Sequence, residues 1–404
     1  RVRAIVEGVR TGGDAALRED NRRFGGGLPG RDGSAAQLVV PRSELVRARD
    51  ALPGDVRRGL EHMATNIERF HTEQIPEAEH WVEVEPGIRV GRAWRPLDRV
   101  AAYVPGRGGA YPSSLLMAAI PARLAGVPEF VVATPAGRDG AISPVLLGAA
   151  GLMGVEELFA MGGAQGIAAL AYGTESVRPV DKIVGPGSAW VTAAKLEVLG
   201  ACAIDMPAGP SEVMVIADAT ADPRFVAADL LSEAEHGTDS PAILLTTSEA
   251  MADAVQRQIN CQLPHLPRQA ELEHALSNGG AFLVCSTLDE AIDFANEYAP
   301  EHLSLVVENE AAVLARIRNA GSVFLGSFAP EAAGDYATGS NHVLPTGRLA
   351  RAYGALSVES FGHWMEMQRL TRDGLARIRE TVGVVAEAEG FSAHRRAVDI
   401  RFDD

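Results

Sequence analysis

Cysteine is scarce: Cys202, Cys261 and Cys285 are the only three in 404 residues, and no two lie close in the chain. That excludes a disulfide scaffold and a Cys-x-x-Cys motif and fits a reducing, cytoplasmic compartment. Aromatic residues make up 5%, and no apolar run reaches the roughly 18 residues of a membrane-crossing helix. Positive charge is also in deficit. With 37 basic against 53 acidic residues the net charge is −16, which offers no general attraction to phosphate backbones or anionic lipid. Neither nucleic acid nor membrane is an expected partner. Lysine is almost missing, since Lys182 and Lys195 are the only two and every other basic residue is arginine. The chain opens on Arg1 rather than methionine, with an amphipathic start unlike a signal peptide. The extreme N-terminus is therefore expected to lie outside it, with any targeting segment there.

What is present is an ordinary globular composition, 47% hydrophobic and 22% charged. The length suits two to three domains of about 100–200 residues. Apolar residues at helical spacing predict helices over 2–24 and 55–70, and Trp81–Glu85 alternates as a strand that turns at Pro86-Gly87. From Val100 to Ile216 short apolar runs alternate with helical stretches, predicting a parallel α/β unit. The rhythm continues through Ile243–Thr246, Phe282–Val284, Leu303–Val307 and Val323–Leu325, predicting a second. After about Gly354 strands are expected to cease, and 370–389 reads as a charged amphipathic helix. The expected fold is α/β, with two incomplete Rossmann-like lobes and a small helical C-terminal piece.

Two Gly-rich turns, Tyr103-Val-Pro-Gly-Arg-Gly-Gly-Ala-Tyr-Pro-Ser-Ser and Val184-Gly-Pro-Gly-Ser, each follow a strand and open a helix. Small residues there let backbone amides approach a phosphate. Trp190 replaces the third glycine of a dinucleotide fingerprint, so tight-turn geometry explains the same residues equally well. Glu233 and His236 lie three apart on a predicted helix and share a face, as metal ligands do and as solvated pairs also do. Further ligands would have to come from Asp335, His342 or His394. Glu301-His302, at a strand entrance, pairs a carboxylate with an imidazole suited to proton transfer near neutral pH.

Taken together, Tyr103-Val-Pro-Gly, Gly162-Gly-Ala-Gln-Gly-Ile, Val184-Gly-Pro-Gly, Asp205-Met-Pro-Ala-Gly-Pro-Ser-Glu, Ala234-Glu-His-Gly, Tyr298-Ala-Pro-Glu-His-Leu, Ala333-Gly-Asp-Tyr-Ala-Thr-Gly-Ser-Asn-His and Glu389-Gly-Phe-Ser-Ala-His resemble the histidinol dehydrogenase family over nearly the whole chain. The resemblance implies zinc, one ion per subunit, and two NAD-dependent steps from L-histidinol through L-histidinaldehyde to L-histidine. It implies zinc ligands at Glu233, His236, Asp335 and His394, where the family usually has glutamine at the first position. Glu301 and His302 carry over as catalytic residues. Tyr103, Gln165 and Ser188 carry over as NAD contacts, with Ser188 standing for the usual asparagine. Ser211, Glu233, His236, His302, Asp335, Glu389 and His394 carry over as the substrate site.

The resemblance further implies a homodimer with shared active sites, into which the C-terminal segment reaches from the partner. The expected domains are 1–102 plus 213–356, then 103–212 contacting NAD, then 357–404 reaching the partner. Two oxidations of one carbon need a nucleophile for the aldehyde, and apart from Cys202 no cysteine lies near the matched motifs. An activated water is the expected nucleophile. Glu233 and Ser188 leave open a paralogue that oxidises a different small amino alcohol.

Overall fold

The structure, a computed structural model, describes residues 1–28, 37–106, 109–137 and 139–403. Arg107 and Gly108 of the first Gly-rich turn lie outside the described residues. The strands are β1 (Val39–Val40), β2 (Glu79–Glu85), β3 (Ile88–Pro96), β4 (Arg99–Tyr103), β5 (Glu129–Thr134), β6 (Glu157–Ala160), β7 (Lys182–Val184), β8 (Ala203–Ile204), β9 (Val213–Ala217), β10 (Ala242–Thr246), β11 (Gly280–Val284), β12 (His302–Val306), β13 (Ser322–Leu325) and β14 (Gly362–Leu370). They fall into two compact units, Arg1–Gln74 with Leu97–Phe361, and Ile75–Pro96 with Gly362–Asp404.

The first unit holds two sheets, ordered β1-β6-β5-β4-β7-β8 and β11-β10-β9-β12-β13. All pairs are parallel except β1, which runs antiparallel to β6. In chain order the parallel strands of each sheet read third, second, first, fourth, fifth. That is the doubly wound order without its sixth strand, the incomplete Rossmann-like lobe expected from the sequence. Burial on both faces explains the unbroken apolar runs. Along β9, Val213, Val215 and Ala217 enter one apolar cluster while Met214 and Ile216 enter the cluster on the opposite face. The helix Val2–Phe24 bends at Gly13, where φ is 53°, and sends Val6, Val9 and Leu17 into the core of the first sheet.

The second unit is an antiparallel sheet, β14-β3-β2, with helices Arg372–Ala388 and Ser392–Asp399. β2 and β3 join at Gly87, whose φ of +82° suits glycine, at the turn read from Pro86-Gly87. β14 corrects the expectation that strands cease after Gly354. It pairs with β3 along nine residues. Half-exposed on both faces, His363-Trp-Met-Glu-Met-Gln-Arg shows neither clean alternation nor an apolar run, so its pairing partner alone makes it a strand.

Within the first unit, the segment after the short helix Glu331–Tyr336 is fastened to the helix Pro112–Ala125. Asn341 Nδ2 donates to the carbonyl of Met117 at 2.7 Å, and its Oδ1 accepts from the amide of Val343 at 3.0 Å. Next to it, His342 Nε2 and Ser114 Oγ are 3.0 Å apart. Asn341→Ala strands two buried backbone groups and should cost about 1–3 kcal/mol, read as a lowered denaturant midpoint. An unchanged midpoint would show that the strap adds nothing to stability.

Candidate active site

β9 and β12 are neighbours at the point where the second sheet reverses its strand order. Just before them stand Ser211-Glu212 and Glu301. The helix Leu288–Tyr298 delivers Glu301: it is capped by Thr287, whose side chain accepts from the Glu290 amide, and ends at Ala299 with φ 56°. Pro300 then prevents continuation and turns the chain into β12. Glu301 Oε2 accepts from Ser211 Oγ at 2.7 Å and from the Glu212 amide at 3.0 Å. The His302 amide in turn donates to the Glu212 carbonyl at 3.2 Å.

Two further elements close on His302. The helix Pro223–Ala234, capped by Asp222 with Pro223 in its first turn, carries Glu233 at its end and His236 just beyond. The helix Glu331–Tyr336 carries Glu331 and Asp335, four apart and so on one face. His302 Nδ1 lies 3.5 Å from Glu233 Oε2, 3.6 Å from Glu331 Oε1 and 3.9 Å from Glu301 Oε2. His236 Nδ1 is 3.6 Å from Glu233 Oε1, and His342 Nδ1 is 3.8 Å from Asp335 Oδ1. Glu233, Glu301, His302 and Glu331 are buried.

Burial, the largest cause, together with neighbouring carboxylates pushes the Glu233 and Glu301 carboxyls up to about 8, and the same causes drive Glu331 well above the ordinary range. For His302 burial pulls downward, but the carboxylates of Glu301, Glu331 and Asp335 outweigh it and the net shift is upward. His342, half-buried, is pushed down to about 4 by desolvation. Cys202 is buried and its thiol pushed up to about 12, chiefly by desolvation, which withholds a thiolate nucleophile.

Both oxygens of Glu233, Nδ1 of His302 and Oε2 of Glu331 are buried without a hydrogen bond of good geometry, although Ser211 and Glu331 lie near Glu233. Ligand atoms of Glu233, His236 and Glu331 lie within 4.8 Å of one another, as do those of His302, Glu331 and Asp335. Carboxylate and imidazole donors converging in this way fit a borderline dication such as zinc, which would satisfy the unpartnered atoms. Glu331 belongs to both groups and lies just outside the Ala333-Gly-Asp motif. Its signal was available as a second carboxylate one helical turn before Asp335. Glu389 and His394 lie on the second unit, at the end of the helix Arg372–Ala388 and within Ser392–Asp399, both exposed.

The expected nucleotide turns lie at the carboxyl ends of β4 and β7, the reversal point of the first sheet. Tyr103 OH accepts from the Gly163 amide at 3.3 Å. Gly185 has φ +107°, and a Cβ there would stand 2.3 Å from the Tyr103 carbonyl oxygen. Ser188 is exposed and opens the helix Ala189–Glu197. Such a glycine-lined strand-to-helix turn fits a dinucleotide phosphate. Gln165 is buried, its amide donating to Asn21 Oδ1 at 3.2 Å and toward the Gly25 carbonyl at 3.5 Å.

The sequence profile of histidinol dehydrogenase matches residues 1–402. The chain belongs to the histidinol dehydrogenase family. Histidinol dehydrogenase of Xanthomonas oryzae pv. oryzae is 47% identical over 402 residues, 99% of this chain and 91% of that protein. That of Methanothermobacter thermautotrophicus is 44% identical over 401 residues, 99% of this chain and 92% of its own. The crystal structure of histidinol dehydrogenase from Elizabethkingia anophelis superposes with a TM-score of 0.93 at 40% identity, covering 99% of this chain and 91% of that one. An acetylating aldehyde dehydrogenase from Geobacillus thermoglucosidasius, at 13% identity and TM-score 0.53 over 91% of this chain and 90% of its own, shares the fold alone. As a member of the histidinol dehydrogenase family the chain is an NAD-dependent oxidoreductase enzyme. Among the described residues no helix is long and apolar enough to cross a membrane.

Ser211→Ala removes one of the two hydrogen bonds that aim Glu301. NADH-forming kcat should fall about ten- to a hundredfold while the unfolding midpoint stays close to wild type. Unchanged kcat would show that the Glu212 amide suffices.

Proposed function

We propose that the chain oxidises L-histidinol to L-histidine through L-histidinaldehyde, with two NAD reduced at one site. The observation that carries this reading is Glu301, held by Ser211 and Glu212 beside a buried His302, facing Glu233 and Glu331, of which Glu233 Oε1 and Oε2 and Glu331 Oε2 make no hydrogen bond of good geometry. His302, whose proton affinity is raised, takes the alcohol proton as hydride leaves for the nicotinamide. Glu301, near 8, is matched to removing a proton from water at neutral pH. That water adds to the aldehyde, and the hydrate gives up the second hydride. One water and two NAD are consumed, and two NADH and three protons are released.

Glu233, His236, Asp335 and His394 are the zinc ligands in this reading, one ion per subunit, with Glu331 as a further donor close by. Zinc supplies orientation of the substrate's imidazole and amine. Ser211, His302 and Glu389 complete the substrate site, and Tyr103, Gln165 and Ser188 line the NAD side. For Gln165 this requires its amide to exchange Asn21 for the cofactor. The functional halves we assign are 1–102 plus 213–356 for the substrate and 103–212 for NAD. The segment 357–404 brings Glu389 and His394 into the partner's site in a cytoplasmic homodimer.

NADH formed per L-histidinol consumed should be two with excess NAD, and a chelator should abolish it. No NADH from folded, metal-loaded protein would turn the case to a paralogue acting on another small amino alcohol, to which Glu233 points. Glu301→Gln should slow the aldehyde step about a hundredfold or more and spare the alcohol step, while His302→Ala slows both; equal losses for Glu301→Gln would end the division of roles. Shared sites make a further demand. Glu301→Gln and His394→Ala, each failing to form L-histidine, should regain about a quarter of wild-type L-histidine formation when unfolded together and refolded as a mixed dimer. No recovery would place His394 in its own subunit's site.

A further inference from the structure

The two lysines of an otherwise arginine-only chain flank one turn. Lys182 opens β7, and Lys195 lies on the helix that follows. Lys195 Nζ donates to the Gly185 carbonyl at 2.9 Å and to Asp205 Oδ1. Asp205 Oδ2 accepts from the Gly185 amide at 2.7 Å, and its Oδ1 accepts from the Met206 amide at 2.7 Å. The side chains are 3% and 2% exposed. One ion pair thus grips both backbone groups of Gly185, the first glycine of the Val184-Gly-Pro-Gly turn. It also grips the start of the crossover that leaves β8 and ends at Ser211 and Glu212, the residues that hold Glu301. Thr192 Oγ1, on the same helix as Lys195, donates to the Ala208 carbonyl at 2.6 Å farther along that crossover. A compact ammonium with three donors can satisfy a carboxylate and a carbonyl at once, where a planar guanidinium demands a wider slot.

We infer that Lys195 and Asp205 are positioning residues for the redox reaction: their buried pair fixes the spacing between the nucleotide turn and the crossover that carries Ser211, and so sets the affinity for NAD. The inference rests on the functional reading above. A buried ion pair is weak evidence of net stabilisation, since apolar or neutral pairs often replace it without loss, whereas one stranded partner is costly. Stability and NAD affinity should therefore part company in a double variant.

The test compares Lys195→Met, Asp205→Asn and the double variant by thermal midpoint, zinc content, and KM for NAD and for L-histidinol. Each single variant should lose midpoint. The double should regain most of it yet keep a KM for NAD raised about tenfold or more, with KM for L-histidinol within about threefold and zinc content unchanged. A double variant with wild-type KM for NAD overturns the inference and leaves the pair a structural one. Should the double not fold, Lys195→Gln keeps a donor for the turn and loses the charge. A raised KM for NAD in folded Lys195→Gln supports the inference, and an unchanged one overturns it. Wild-type protein that makes no NADH from L-histidinol removes the functional reading and this inference with it, an outcome distinct from an active wild type with unmoved variants.

Discussion

Glu233, Glu301 and Glu331 set three carboxylates around one imidazole, in an interior where each uncompensated charge costs several kcal/mol. Left to relax, such a cluster would swing its side chains to solvent. The surrounding fold prevents this. Glu301 is bound by a hydroxyl and an amide, Glu331 is carried on a helix that also carries Asp335, and Glu233 is locked at the end of a helix whose other face packs on the sheet. The energy comes from the apolar clusters on either face of β9 and β12, which make the amino ends of these strands rigid enough to hold like charges together.

The same economy explains where the two halves of the chemistry sit. In the first sheet the turns suited to a nucleotide are at the carboxyl ends of the strands, the usual place in doubly wound sheets. In the second, the titratable cluster is at the amino ends. Residues 205–212 connect the two sheets, leaving one at Asp205 and entering the other at Val213, with Ser211 and Glu212 engaged with Glu301.

Most of this was legible in the sequence. Short runs such as Lys182–Val184 and Val213–Ile216 are buried on both faces, so composition alone marks them as parallel strands. Glu233, His236, Glu301, His302 and Asp335 stood out because ionisable side chains in small-residue surroundings are rare. β14 was not legible, because half its residues face solvent and its place is set by pairing with β3, a partner more than 260 residues earlier. Glu331 was missed for a different reason. A glutamate in the first turn of a short helix is the commonest of exposed residues, and only the approach of β12 and the helix Pro223–Ala234 buries it.

Glu233 has the most chemical consequence of the departures from the family pattern. An amide oxygen is a neutral ligand, whereas a carboxylate adds a negative charge to a site that already holds Asp335, Glu331 and Glu301. If Glu233 holds a dication as proposed, the extra charge would strengthen that hold and lower the ion's Lewis acidity, favouring a metal that orients substrate over one that polarises it. It also selects by charge. A cationic amine on the substrate is attracted to the site, while a sulfonate or carboxylate in the same place is repelled across a low-dielectric interior. In the proposed reading, a carboxylate at position 233 therefore favours amino alcohols, of which histidinol is one, over anionic alcohols.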